Sequence, residues 1–205
     1  MIYISNEKFE DFEHLYRINL INSCSGYKSA NLIGTKSASG QENVAIFSSV
    51  VHLGSSPPLL GFICRPTTVM RHTYENIKNT KFYTINHIHS DILEDAHHTS
   101  AKYKREISEF DKTKLIPTYK NNFHAPFVKN CPVQLAMRHV NDYFIKENEV
   151  ILVIGKIEGV HLKNDMLMDD GFIDLSAGNI TTINGLDGYS EPKDNVRFQY
   201  QRPKE

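Results

Sequence analysis

Only three cysteines occur in the chain, Cys24, Cys64 and Cys131, and no two of them form a CxxC pair. A zinc ribbon and a thioredoxin-type redox centre are therefore unsupported, and a reducing compartment is expected. Cys64 lies in the apolar run Leu59-Leu60-Gly61-Phe62-Ile63-Cys64 and reads as a buried, inert thiol. Charge of one sign is also lacking. The 23 basic and 24 acidic side chains leave a net charge of -1, so there is no broad field to hold nucleic acid or an anionic membrane. The longest apolar stretches, such as Val150 to Ile154, fall far short of the roughly 20 residues that span a bilayer. No basic patch precedes an apolar core near Met1, so no signal peptide is expected, and the chain reads as cytoplasmic. Neither GxGxxG, GxxxxGK[ST], GxSxG nor HExxH occurs, which removes the sequence support for a dinucleotide-binding doubly wound fold, a P-loop, an esterase-type nucleophile and a zincin site.

What remains is an ordinary globular composition, 40% hydrophobic and 23% charged over 205 residues, enough to bury a core without disulfides. A single domain over residues 1–205 is expected, with an N-terminal helical extension over 1–25 and a core over about 26–190. Phe9, Phe12, Leu15, Tyr16 and Leu20 recur at three- and four-residue steps, predicting an amphipathic helix over 7–20 that packs on the outside of the core. From Gly26 the texture turns to strands. Ala30 to Thr35 and Val44 to Val51 flank the polar link 37–42 as a hairpin, and Pro57-Pro58 leads into a third strand, Leu59 to Cys64. Residues 67–79 read as a helix capped by Thr67 or Thr68, 81–86 as a strand and 91–103 as a short helix. Residues 104–129 form a long polar segment of the kind that often serves as a functional cover. Strands return at 133–140 and 149–162. The sum is mainly β, a closed barrel with peripheral helices.

Three places could carry chemistry. At Cys64 to Thr73 a strand hands over to a helix, with Arg65, Thr67, Thr68, Arg71 and Thr73 close together. Free N–H groups at a helix start and neighbouring guanidinium groups suit a phosphate, although a capped surface helix with solvated arginines is the plainer reading. The strand Asn43 to Val50 mixes small and polar residues (Ala45, Ser48, Ser49) into an apolar run, which lets a planar heteroaromatic ligand approach its backbone; an alternating half-buried strand explains it equally. His87 and His89 share a strand face, but no third ligand stands at a convincing spacing and His97-His98 diverge on a helix, so no metal site is expected.

The order and spacing of these pieces resemble the flavin reductase-like family. The pieces are Leu32-Ile33-Gly34-Thr35, Gly40, Asn43-Val44-Ala45-Ile46-Phe47-Ser48, Pro57-Pro58-Leu59, Arg65, Arg71-His72-Thr73, Asn76-Ile77, Phe82-Tyr83-Thr84-Ile85-Asn86, Ser108-Glu109-Phe110, Gly155-Lys156-Ile157-Glu158-Gly159-Val160 and the region of Tyr189. The resemblance implies an FMN-binding split β-barrel of Greek-key type, a homodimer with the flavin at the subunit seam, and FMN rather than FAD as cofactor. It places the flavin ring against Asn43, Ala45, Ser48 and Ser49, and the phosphate near Arg65, Thr68, Arg71 and Thr73. The loop of Thr99 and Ser100 would close over the ribityl-phosphate. A flavin reductase drawing on NAD(P)H as a transient electron donor is implied; a non-catalytic FMN-bound electron carrier or binding protein is the alternative. Family reductases often carry Gly-Asp-His near the nicotinamide, and the nearest match here, Asn141-Asp142-Tyr143, lacks the histidine. No catalytic side chain is nominated, because the cofactor supplies the chemistry.

Overall fold

The computed structural model describes residues 1–203; Lys204 and Glu205, the end of the expected domain, lie outside the described residues. A seven-stranded antiparallel sheet dominates. Its strands are β2 (Asn31–Lys36), β3 (Glu42–Phe47), β4 (Val51–Ser55), β5 (Pro58–Cys64), β6 (Phe82–His87), β9 (Val133–Ile145) and β10 (Val150–Leu162), in the order β3-β2-β6-β9-β10-β5-β4. β1 (Lys28–Ser29) joins β11 (Thr182–Asn184) and β12 (Gly188–Ser190) in a small second sheet, and β7 (Pro117–Thr118) pairs with β8 (Phe127–Val128).

The two edges of the large sheet, β3 and β4, are neighbours in the chain. The sequence suggests one strand from Val44 to Val51, but the strand breaks at Ser48-Ser49-Val50 so that the chain can cross from one edge to the other. Ser49 fastens this gap. Its hydroxyl accepts the Ile63 N–H at 3.0 Å and donates to the Ile63 carbonyl at 3.3 Å, occupying β5 where β4 no longer covers it. The result is a barrel that curls but is open in its ladder between β3 and β4.

Side chains alternating inward from these strands form the core: Ile33, Phe62, Tyr83, Ile85, Met137 and Val153 are all buried. A second cluster, including Leu32, Val44, Ile88, Phe110 and Val128, lies on the outer face of β2 and β3. The polar 104–129 segment contributes Phe110, Leu115 and Val128 to it. Its Phe110, Leu115, Ala125, Phe127 and Val128 are buried, and Pro126 and Val128 bond to Thr84 and Asn86 on β6. The cover is therefore clamped to the barrel.

Three helices flank the barrel: α1 (His14–Ser23), α2 (His72–Thr80) and α3 (Leu93–His98). The expected N-terminal helix is displaced and divided, a 3-10 turn at Asn6–Phe9 preceding α1, and neither piece contains a buried residue. Its apolar stripe does not pack on the barrel: Leu15 is 70% and Tyr16 54% exposed. The expected cap at Thr67 or Thr68 is also corrected. Those residues form an exposed turn, and α2 starts five residues later with Arg71 at the N-cap. The tertiary requirement to leave β5 before turning onto α2 outweighs the local capping signal.

Candidate functional site: a cleft between the split edge and the start of helix α2

A cleft of about 1020 Å3 opens along β3, the end of β5, the 65–73 segment and the turn after α3. Edge strands expose backbone groups, and β3 does so here. The Val44 N–H is donated away from β2, to the Glu109 carboxylate at 3.1 Å. Because outward and inward backbone groups alternate along an antiparallel strand, Ile46 also turns its N–H and C=O away from β2, into the wall of the cleft.

The N-terminus of α2 forms the adjoining wall. The first intrahelical bond runs from the Glu75 N–H to the Arg71 carbonyl, so the N–H groups of His72, Thr73 and Tyr74 have no partner within the helix. Arg71 is held by its Nε, which donates to the Pro66 carbonyl at 3.2 Å, leaving its terminal nitrogens for other acceptors. Arg65 extends from the end of β5 and lines the same cleft. The cationic Lys28, Arg65, Arg71 and Lys102 in the lining outnumber the acidic Glu109 and Asp187. That balance favours an anionic ligand in a chain whose overall charge is near zero.

Of the ten residues expected at a cofactor site, nine line this cleft: Asn43, Ala45, Ser48, Ser49, Arg65, Arg71, Thr73, Thr99 and Ser100. Thr68 is not among the lining residues and sits on the exposed turn. Several of the nine are already engaged. The Asn43 amide donates to the Thr73 hydroxyl at 3.0 Å, tying strand β3 to helix α2 and leaving the Thr73 hydroxyl proton free to be donated. The Thr99 hydroxyl donates to the Ala96 carbonyl at 2.7 Å, and Ser49 serves the barrel seam. Ser49 thus shapes the cleft more than it offers hydrogen bonds to a ligand.

Other lining residues had no role in the sequence reading. Glu109 is 5% exposed, and burial raises its pKa above the ordinary 4.5, partly offset by the N–H bonds from its own backbone and Val44. Cys64 also borders the cleft; burial pushes its pKa up to about 11, which keeps the thiol neutral. His97 lines the opposite wall with Nδ1 hydrogen-bonded to the Tyr189 hydroxyl at 2.9 Å, while His98 turns to Tyr103 at 2.6 Å. The diverging histidines each hold a tyrosine. The Asn141-Asp142-Tyr143 stretch is interior to β9, where the Asp142 carboxylate accepts from Tyr74, Lys78 and His139. From that hairpin it is Asn148 and Val150, at the turn, that reach the cleft.

A family profile described as flavin reductase like domain matches residues 26–174. The chain belongs to this flavin reductase-like family, and so to a class of flavin-handling oxidoreductases. Its fold is close to that of a split-barrel protein from Shewanella frigidimarina proposed to be a flavin reductase, with a TM-score of 0.94 and 43% identity over 98% of this chain and 100% of that one. Nitrilotriacetate monooxygenase component B from Bacillus cereus shares the fold at a TM-score of 0.83 and 15% identity, over 97% of this chain and 98% of its own. Flavoredoxin of Desulfovibrio vulgaris (Miyazaki F) does so at 0.74 and 18%, over 85% and 92%. No helix among the described residues is long and apolar enough to cross a membrane.

Proposed function

We propose that the cleft binds FMN and that the protein is an NAD(P)H-dependent flavin reductase or a closely related flavin-dependent oxidoreductase. One observation carries this reading: an edge strand with outward backbone groups and a helix start flanked by two arginines face a single cleft, in a chain of the flavin reductase-like family. The donor set fits the group. Arg65, Arg71, the Thr73 hydroxyl and the free N–H groups of α2 would hold a phosphate, each charge-assisted bond contributing about 1.5–3 kcal/mol. The backbone of Ile46 and the small side chains of Ala45 and Ser48 would receive a flat ring whose edge both donates and accepts. When bound, FMN supplies the hydride- and electron-accepting chemistry. The protein's part is to neutralise the phosphate, keep β3 and α2 at fixed spacing through the Asn43–Thr73 bond, and leave room in the cleft for a second reactant.

The same reading includes a homodimer. Leu15, Leu53, Tyr143 and Phe144 are 70%, 43%, 54% and 66% exposed, large apolar side chains of the kind that contact with a second copy would cover. Light scattering on the purified protein tests this, with a dimer mass expected and a monomer mass contradicting it.

The functional test is spectroscopic. Protein titrated with FMN acquires a bound-flavin absorbance, which bleaches within seconds of anaerobic mixing with NADH or NADPH. Protein that takes up neither FMN nor FAD contradicts the cofactor; flavin that binds but stays oxidised with both nucleotides contradicts the reductase.

A further inference from the structure

We propose that a second cavity, at the end of the β9–β10 hairpin remote from the flavin cleft, binds a phosphate group through Lys120, His161 and Lys163. The cavity measures about 420 Å3 and is lined by these three residues together with Cys131, Pro132, Gln134, Val160 and Leu162. The flavin cleft meets β10 at Val150, at the turn end of the hairpin, whereas this cavity meets β10 at Val160 to Leu162, at its other end. No lining residue is shared.

Three features make this an oxyanion site. Three nitrogen bases from two separate segments line it, Lys163 from an exposed position, and no carboxylate among the described residues does. Lys120 is half-buried, yet it forms no ion pair within 4 Å among the described residues. Its ammonium instead donates to the neutral amide oxygen of Gln134, which is 2% exposed and is itself fixed by donating from Nε2 to the Val128 carbonyl. An ammonium that donates to one neutral amide has two further donor hydrogens. That charge acts on its neighbours. Burial and then Lys120 hold the His161 imidazole below its ordinary pKa, and the same ammonium works against the burial that raises the Cys131 thiol. A half-buried cation that faces only an amide oxygen and the Phe127 ring, without a carboxylate, is an arrangement that an anion relieves. Donors from two lysines and an imidazole suit a tetrahedral oxyanion, and the volume admits a small phosphomonoester as well as free phosphate.

The His161 titration supplies the test. In FMN-saturated protein, the His161 imidazole is followed by NMR against pH in sodium phosphate, in glycerol phosphate and in sodium chloride of equal ionic strength. A bound phosphate adds negative charge beside the ring, so phosphate is expected to raise the His161 pKa and chloride is not. A larger response to glycerol phosphate than to inorganic phosphate identifies a phosphomonoester as the ligand class; the reverse identifies free phosphate. Lys120→Gln is expected to raise the His161 pKa without any anion and to weaken the phosphate response at least tenfold, and Lys163→Gln to weaken it more mildly. Flavin affinity stays unchanged in both variants. Equal titrations in phosphate and chloride, or a full phosphate response in Lys120→Gln, overturn the proposal.

Discussion

The carboxylate of Glu109 accepts the backbone N–H of Val44 at 3.1 Å, standing in for the strand that β3 lacks on its open side. The bond joins the 104–129 cover to the strand that walls the cleft. Glu109→Gln keeps an acceptor for that N–H, whereas Glu109→Ala leaves a buried donor unpaired. The alanine variant is expected to lose about 1–3 kcal/mol in chemical denaturation and the glutamine variant less. Equal losses would show that the acceptor is not what matters.

Glu109 also sets a pH dependence. Its folded pKa lies above the unfolded value, so the folded protein holds this proton more tightly. The stability it contributes is complete below the ordinary glutamate range and declines as pH rises through the raised folded value. Thermal unfolding of the wild type and Glu109→Gln between pH 4 and 8 should show the variant gaining relative to the wild type as pH increases, then levelling. A difference that stays constant across that range, or a variant that loses ground to the wild type as pH rises, contradicts the assignment.

Gly155 and Tyr83 form a matched pair. A Cβ at Gly155 would stand 2.0 Å from the Tyr83 hydroxyl oxygen and 2.8 Å from Cζ, and that hydroxyl is buried with no hydrogen-bond partner among the described residues. Gly155→Ala is expected to cost about 2–3 kcal/mol by overpacking. Tyr83→Phe removes an unsatisfied hydroxyl and should leave stability unchanged or raise it by about 1 kcal/mol. In the double variant the alanine meets only the ring, so its cost should fall by at least about 0.5 kcal/mol. Strict additivity would refute the contact.

Ser49 is the clasp of the open seam. Ser49→Ala removes both bonds to Ile63, with an expected loss of about 1–2 kcal/mol and faster exchange of the Ile63 amide. Unchanged exchange at Ile63 would show that the seam is closed by other means.

The barrel strands were legible because the alternation of β2, β5, β6, β9 and β10 is written locally, in residues such as Ile33, Phe62 and Ile85 that point to one core. The break after Phe47 was not, because it answers to the curvature of the whole sheet. The start of α2 was misplaced for a similar reason. Thr67 and Thr68 are good capping residues, and nothing local says that the chain must travel to Arg71 before it can turn. Strand and helix-start residues that line the cleft, such as Asn43, Arg71 and Thr73, could be grouped from the sequence because they lie in contiguous segments with a chemical rationale. Glu109, His97 and Asn148 could not, since they reach the cleft from elements far away in sequence. Ser108-Glu109-Phe110 was the one available signal, carried by the family resemblance without a role attached.

The most direct test of the central claim is a fluorescence titration of FMN into the wild type and Arg71→Ala, with Arg65→Ala alongside. Loss of a charge-assisted phosphate contact is expected to weaken FMN by roughly 2 kcal/mol, about thirtyfold, in Arg71→Ala. Dissociation constants indistinguishable from the wild type in both arginine variants would contradict a flavin phosphate held at the start of α2.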